Sequence, residues 1–550
     1  MKASLFLISI TLILSSTCFG QETPFPMAEA SKSEVHSTNV GKIFFTDRRL
    51  PYDSLGVEQF LSTYQLTNKS NLFFVAFFEH SLTNHQHMLL PGLPVDSLFR
   101  SGNYQFSLYI DDQLIYQSEL LPGAPSAKNQ NYDTHLNRPL IDNINGQGSW
   151  SESFWNRFLR NGGDEALTDG RHLLKMEIRP YVKTHETHLG AIMASGELPL
   201  EVNRHPVIDI SKISLNKTSP YAGLEVSTSP FDTNRIKSLK GAMDEGIFKN
   251  VNGIVVLKHG KILIEEYFNG ENRFSLHDPR SVGKSFASTL TGMAIQQGFI
   301  KIESANIGQF YELDGIQNNS AAKSGATIRD LLTMSAGFAG DDEDYTSPGN
   351  EENMYPTEDW VKFALDLPYH DSLKQKWHYF TAGVVLLGDI INKSVPNGLE
   401  DFAHKNLFKP LGITDYKWQY TPQQVPNTAG GIQMNALDFA KYGQLYKNGG
   451  IWNNQRLLTK SWVDKSFTKH RKIQGRDEEY YGYLFWNKKF KAGSKTYEAF
   501  YCAGNGGNYI LIFKDQPLVV VITASAYGQP YAHSQVNEIL SNYILPAVLK

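Results

Sequence analysis

Cysteine is almost missing: the chain has two, Cys18 and Cys502, among 550 residues. With Cys18 inside a removable leader, one thiol remains and no internal disulfide can form. Stability must then come from core burial. An excess of one charge sign is also missing. Lys and Arg total 52 against 56 Asp and Glu, a formal charge of −4 with no basic block, and this excludes an electrostatic nucleic-acid footprint. After the first twenty residues, no run reaches the roughly 18 apolar residues that a membrane-spanning helix needs. The rest is ordinary globular usage, 41% hydrophobic and 20% charged, which excludes a disordered or fibrous chain.

The first twenty residues read as a leader. Lys2 supplies a positive start, Ala3 to Ser16 is mostly apolar, and Cys18-Phe19-Gly20 puts small residues where a signal peptidase needs them. Ser15 stands where a lipoprotein signal carries leucine, so cleavage before Gln21 is expected rather than lipidation at Cys18. The expectation is an exported chain, periplasmic or secreted.

Two halves follow with different grammars. Over 21–204 the strong segments are short and β-branched or aromatic: Lys42–Thr46, Asn71–Phe78, Tyr104–Ile110, His172–Pro180 and Gly190–Val202. Asn, Gly, Pro and Asp clusters separate them, which predicts an all-β, sandwich-like accessory domain with one helix near Ser151–Leu159. His85, His87, His185 and His188 lack the spacing of a helical zinc site and read as surface histidines. Residues 205–234 are rich in Ser, Thr and Pro and read as a linker. Over 235–550 a helix carries Ile236, Leu239 and Met243. A hairpin turns at His259-Gly260, several helices follow, and strands return at Phe500–Ile512 and Leu518–Thr523 before a last amphipathic helix. Strands at both ends with helices between predict an α+β domain whose single sheet is closed by distant segments.

The chemistry concentrates at Ser281-Val-Gly-Lys284. Ser-x-x-Lys also occurs at Ser214, Ser320 and Ser466, but only this copy opens a long amphipathic helix, with Phe286, Leu290 and Met293 on one face and Gly298 as its stop. Residues three apart share a helix face, so the amine can reach the hydroxyl. A serine needs such a base to become a nucleophile. Gly283-Lys284-Ser285 also resembles the end of a phosphate-binding loop, but the required first glycine is Asp278, and a carboxylate there excludes a nucleotide.

Ser281-Val-Gly-Lys-Ser-Phe-Ala-Ser, followed by Ile328-Arg-Asp-Leu-Leu-Thr-Met-Ser-Ala-Gly-Phe338, resembles the serine β-lactamase and penicillin-binding protein superfamily. The nearer likeness is to its esterases and 6-aminohexanoate-dimer hydrolases. Trp377-His-Tyr-Phe-Thr-Ala-Gly, Pro410-Leu-Gly-Ile, Ala429-Gly-Gly-Ile, Leu437 to Gly450 and Ala503-Gly-Asn-Gly-Gly-Asn508 match in the family's order. The resemblance covers about Ile236 to Lys550. It implies a β-lactamase/transpeptidase-like fold, an antiparallel sheet flanked by helices plus a helical subdomain. It also implies Ser281 as nucleophile, Lys284 as base, Tyr379 as proton relay, and the backbone N–H groups of Ser281 and Asn508 as the oxyanion hole. Thr381, Asn505, Gly506 and Gly507 would contact substrate.

Two departures stand out. The Tyr-x-Asn motif reads Tyr379-Phe-Thr381, and the Lys-Thr-Gly motif reads Asn505-Gly-Gly507, so no cation occupies the place where β-lactamases hold a carboxylate. The expectation is an ester or amide hydrolase acting on a small molecule or peptide, with no metal and no cofactor. The alternatives are a D,D-peptidase or β-lactamase and, in another class, a penicillin-binding-like receptor without turnover. The sequence leaves the oligomeric state open. Cys502 reads as a packed strand residue.

Overall fold

A computed structural model of the chain describes residues 25–124, 126–143 and 150–549; the expected leader, 1–20, lies outside them. Two compact units divide at Arg204/His205. No helix among the described residues is long and apolar enough to cross a membrane.

The first unit is a sandwich of two sheets. Ile43–Thr46, Leu72–Phe77 and His135–Ile141 form a three-stranded antiparallel sheet. The six-stranded sheet runs Tyr64–Thr67, Ala194–Asn203, Gly170–Lys183, Gly102–Ile110, Gln113–Glu119, with Thr187–Leu189 added to Gly170–Lys183. Period-two alternation explains the layering. Leu174, Met176 and Ile178 enter a core shared with Phe45, Phe74 and Phe106, while Lys175 and Glu177 between them form an ion pair on the other face (3.2 Å). The expected helix is present as Trp150–Phe158. Short helices at Leu82–Leu89 and Val95–Ser101 were not anticipated. The first is capped by Ser81, whose hydroxyl accepts from Asn84 N–H. It turns His85 inward, where burial pushes the imidazole pKa down to about 4, so His85 is not the surface histidine expected.

The second unit is built on one eight-stranded antiparallel sheet. Its order is Lys261–Tyr267, Val251–Lys258, Leu518–Ala524, Asn508–Phe513, Lys495–Gly504, Trp486–Ala492, Tyr480–Tyr481, Arg471–Lys472. The unit's first hairpin therefore pairs with its last strand, Val255 opposite Val521. Both faces of its central strands are covered, which is why Val251–Lys258, Leu518–Ala524 and Asn508–Phe513 are almost continuously apolar. Val255, Leu257, Val519 and Val521 face a core with the helices Gly283–Gln296 and Ala436–Lys447. Ile254, Val256, Val520 and Ile522 face the other, formed with Thr233–Asp244 and the C-terminal helices. The tight turn at His259 (φ +53°) and Gly260 (φ +75°) has the two left-handed residues that a two-residue hairpin demands.

The segment expected as a linker over 205–234 is folded into this unit. Leu224 is buried, Ser227 N–H donates to the Ile262 carbonyl (2.8 Å), and the Tyr221 ring lies between Lys441 (4.8 Å) and Arg273 (5.6 Å). Its many Ser, Thr and Pro residues reflect an irregular backbone rather than a free one.

Candidate active site

Ser281 lies in a single tight turn, Arg280–Val282, that feeds the helix Gly283–Gln296. The preceding Arg280 takes φ +53°, a costly conformation for a side-chain-bearing residue and one that clusters at functional sites. Its guanidinium is held over Tyr527 (4.6 Å) and against Asp278 (3.5 Å). Two glycines let chain close round the turn. A Cβ on Gly430 would lie 3.0 Å from the Arg280 carbonyl oxygen, and one on Gly283 would lie 3.0 Å from Gly430 Cα. Ala429-Gly430 can thus run against the turn and present the Ala429 carbonyl.

Lys284 is buried, 2% exposed, and its Nζ donates to Ser281 Oγ (2.7 Å) and to the Ala429 carbonyl (2.7 Å). Both acceptors are neutral oxygens. The other Ser-x-x-Lys with a buried lysine makes the contrast: Lys323 Nζ donates to the carbonyls of Gln317 and Leu365 and ties two loops together. Proximity to its own serine hydroxyl distinguishes Lys284.

Tyr379 precedes the helix Thr381–Ser394. Its ring lies under the Lys284 ammonium (5.1 Å) and stacks on Trp486 (5.6 Å). Burial raises the phenol's pKa, while the Lys284 charge and the Ser281 hydroxyl pull it back. Tyr379, far along the chain, is brought beside the Ser281–Lys284 pair.

The third motif is placed differently from the expectation. Gly506 (φ +90°) and Gly507 (φ +89°) form the turn between Lys495–Gly504 and Asn508–Phe513. A Cβ on either would strike Tyr527 or the Ala532 carbonyl, so they shape the hairpin. Asn508 sits opposite Gly504 on the next strand. Its side-chain amide donates to the Asn505 and Ala524 carbonyls and accepts from Ala524 N–H, each at 2.9 Å. The backbone brought to Ser281 is that of Gly504, where a Cβ would lie 3.1 Å from Ser281 N. Asn505 does line the cavity, with Oδ1 accepting from Gly528 N–H (2.9 Å). Thr381 is fully buried, and its N–H donates to Asp342 Oδ2 (2.8 Å), so it braces the Tyr379 turn instead of facing substrate. Cys502 is buried on its strand, and desolvation pushes its thiol up to about 12.

The cavity holds about 480 Å³. Beyond Ser281, Tyr379 and Asn505 its wall includes residues no motif announced: Asp342, Glu351, Arg476, Glu479, Trp486 and Lys488. Trp486, Tyr501 and Ala503 share one sheet face because Trp486 pairs with Tyr501 and Ala503 lies two residues on. Arg476 covers Trp486 (5.2 Å) and pairs with Glu343 and with Glu479 (3.6 Å). Lys488 Nζ donates to Asn537 Oδ1 (3.0 Å). Burial raises the Asp342 carboxyl to about 6, a rise that Thr381 and the Lys284 charge restrain and Glu351 adds to. Only alternation along the strand could have pointed to Trp486 and Lys488.

A beta-lactamase family model matches residues 243–539. No curated protein matches the chain. Similar solved structures include a putative 6-aminohexanoate-dimer hydrolase from Bacillus anthracis (18% identity, 55% of this chain and 80% of that one, TM-score 0.46). Others are an octameric penicillin-binding protein homologue from Pyrococcus abyssi (18%, 56% and 76%, 0.44) and a D-stereospecific amidohydrolase from Streptomyces sp. (18%, 56% and 97%, 0.41). With more than half of its length matched by the family model and the family's sheet and helices in place, the chain belongs to the beta-lactamase family.

Proposed function

We propose that the chain is an exported serine hydrolase that cleaves an ester or amide through an acyl-enzyme on Ser281. The observation that carries this reading is the 2.7 Å contact between Lys284 Nζ and Ser281 Oγ, with that amine over the Tyr379 ring. Lys284, as the free amine, takes the hydroxyl proton while Oγ attacks the carbonyl carbon. The developing oxyanion is met by Ser281 N–H at the helix entrance and by backbone N–H at the Gly504/Asn508 end of the neighbouring hairpin. Tyr379 gives its proton to the leaving oxygen or nitrogen as that bond breaks, and recovers one from the Lys284 ammonium. Water then repeats the sequence on the acyl group and frees Ser281. The leader over 1–20 supplies export.

Asn505 in place of a lysine argues for neutral substrates. A second reading, cleavage of anionic β-lactams or D-Ala-terminated peptides, draws support from Arg476 and Lys488 on the cavity wall; the carboxylates of Glu343 and Glu479 already offset Arg476. Intact-mass measurement after a fluorophosphonate and, separately, after a penicillin tests both. An adduct of the first that Ser281→Ala abolishes supports the hydrolase. No adduct with either refutes it, and a stable or rapidly cleared penicillin adduct favours the second reading.

A further inference from the structure

The loop after Phe338 belongs to none of the motifs, yet one of its residues grips the turn that carries Tyr379. Asp342 N–H donates to the Tyr379 carbonyl (2.8 Å). Its Oδ2 accepts from Thr381 N–H (2.8 Å) and its Oδ1 from Glu351 N–H (2.8 Å). Both acceptances fall on the first residue of a helix, Thr381–Ser394 and Glu351–Met354. The longer helix needs an outside acceptor, because its N-cap is Phe380 and no side chain there caps it. A carboxylate serves the orphaned N–H groups and the helix dipole together.

Tyr379 is thereby fixed through its own carbonyl and through the residue two beyond it, while its ring is held between Lys284 and Trp486. A phenol that passes a proton to a leaving atom tolerates little displacement. We infer that Asp342 is a positioning residue, which acts through the Tyr379 turn to hold the phenol in register with Ser281 and Lys284; this rests on the hydrolase reading above. The arrangement costs stability, since the carboxyl is buried near Glu351, and a residue that served packing alone gains nothing from that.

The test is a double-mutant cycle in the full chain with p-nitrophenyl butyrate. Asp342→Asn turns an N–H donor toward a backbone N–H and should lower kcat roughly tenfold or more while KM stays within about twofold. Thr381→Pro removes the same hydrogen bond from the other side. Proline is accepted at a first helical position, and Phe380 (φ −133°, ψ 88°) lies outside the helical region that a following proline disfavours. In a Tyr379→Phe background neither change should lower kcat by more than about twofold, because the two residues act as one unit. Losses that multiply with Tyr379→Phe overturn the inference, as do unchanged kcat values in both single variants. If Asp342→Asn fails to fold, Thr381→Pro carries the cycle alone. A wild-type chain that neither hydrolyses esters nor takes a fluorophosphonate overturns the hydrolase reading, and this inference with it.

Discussion

Gly504→Ala is the most direct test of how the sheet meets the nucleophile turn. The added Cβ would lie 1.9 Å from the Pro279 carbonyl oxygen and 3.1 Å from Ser281 N, where real Cβ atoms keep at least 3.0 Å. About 1 Å must therefore open between the strand Lys495–Gly504 and the turn. Gly504 is not among the left-handed residues, so backbone strain plays no part and the whole effect is contact. Nor is the obstacle a flexible side chain: both neighbours are backbone, and the Pro279 side is held by Arg280 stacked on Tyr527. Overpacking of this kind costs about 1–3 kcal/mol of stability. A 1 Å misplacement at reacting atoms costs roughly 10²-fold, similar to the loss of one oxyanion donor. The expected result is a folded protein with kcat/KM for a p-nitrophenyl ester reduced about a hundredfold and slow fluorophosphonate labelling. Gly493→Ala is the control, since that residue turns the far end of the same strand with φ +60° and nothing within 4 Å. It should lose some stability and keep its activity. A Gly504→Ala enzyme within about threefold of wild type would refute the placement of Gly504 beside the oxyanion.

Three further outcomes follow from the same geometry. A chain beginning at Ser229 loses Tyr221 from its place between Lys441 and Arg273 and uncovers the buried Lys441–Asp438 pair (2.8 Å). With the buried Leu224 also lost, it should melt well below a chain beginning at His205, by about 2–5 kcal/mol, and equal melting temperatures would show the segment to be dispensable. The Cys502 thiol, at about 12, should resist DTNB at pH 8 until the protein unfolds; prompt labelling of the native chain would contradict its burial. Asp342 titrates near 6 when folded against an ordinary 3.8. Between pH 4 and 6 only the folded state keeps that proton, so its contribution to stability is lost as pH rises through this window. Urea unfolding at pH 5 and 7 should show wild type losing about 1.3 kcal/mol more than Asp342→Asn over that interval, and parallel losses would place the charge elsewhere.

Much of the second unit could be read in advance because its strands and helices carry unambiguous local signals. Lys258-His-Gly-Lys261 announces a hairpin, and Ser281 to Gly298 announces one helix from entrance to stop. The closeness of Ser281 and Lys284 was legible because a helix fixes the distance between residues three apart before any tertiary contact forms. What local grammar cannot carry is packing supplied by the remainder of the chain. His205 to Asn234 reads as linker by composition, yet Leu224 and Tyr221 anchor it through contacts with residues up to 220 positions away. Asp342 is equally silent, an aspartate in a run of acidic residues whose partners, Tyr379 and Thr381, lie nearly forty residues on. His85 was misread for the same reason, since nothing local reveals that its helix packs inward.

The third motif shows the limit most sharply. Motif order along the chain brought Asn505, Gly506, Gly507 and Asn508 to one hairpin, where Gly504, outside that expected set, has its backbone against Ser281. Which residue touches Ser281 depends on where the strand ends and the turn begins, and a shift of one residue reverses every side chain. Here Gly506 and Gly507, both at φ near +90°, place the turn after Asn505. The strand therefore ends at Gly504, leaving Gly504 as the backbone against the nucleophile and Asn508 as the brace behind it, with its amide closing the gap to Ala524. The absent lysine then has a structural meaning. Asn505 stands at the rim with its carbonyl oxygen engaged by Gly528 N–H, so a lysine there would give up that hydrogen bond. The cationic groups that do line the cavity, Arg476 and Lys488, come from the loop before Tyr480–Tyr481 and the strand after it, a part of the sheet that the motif does not include.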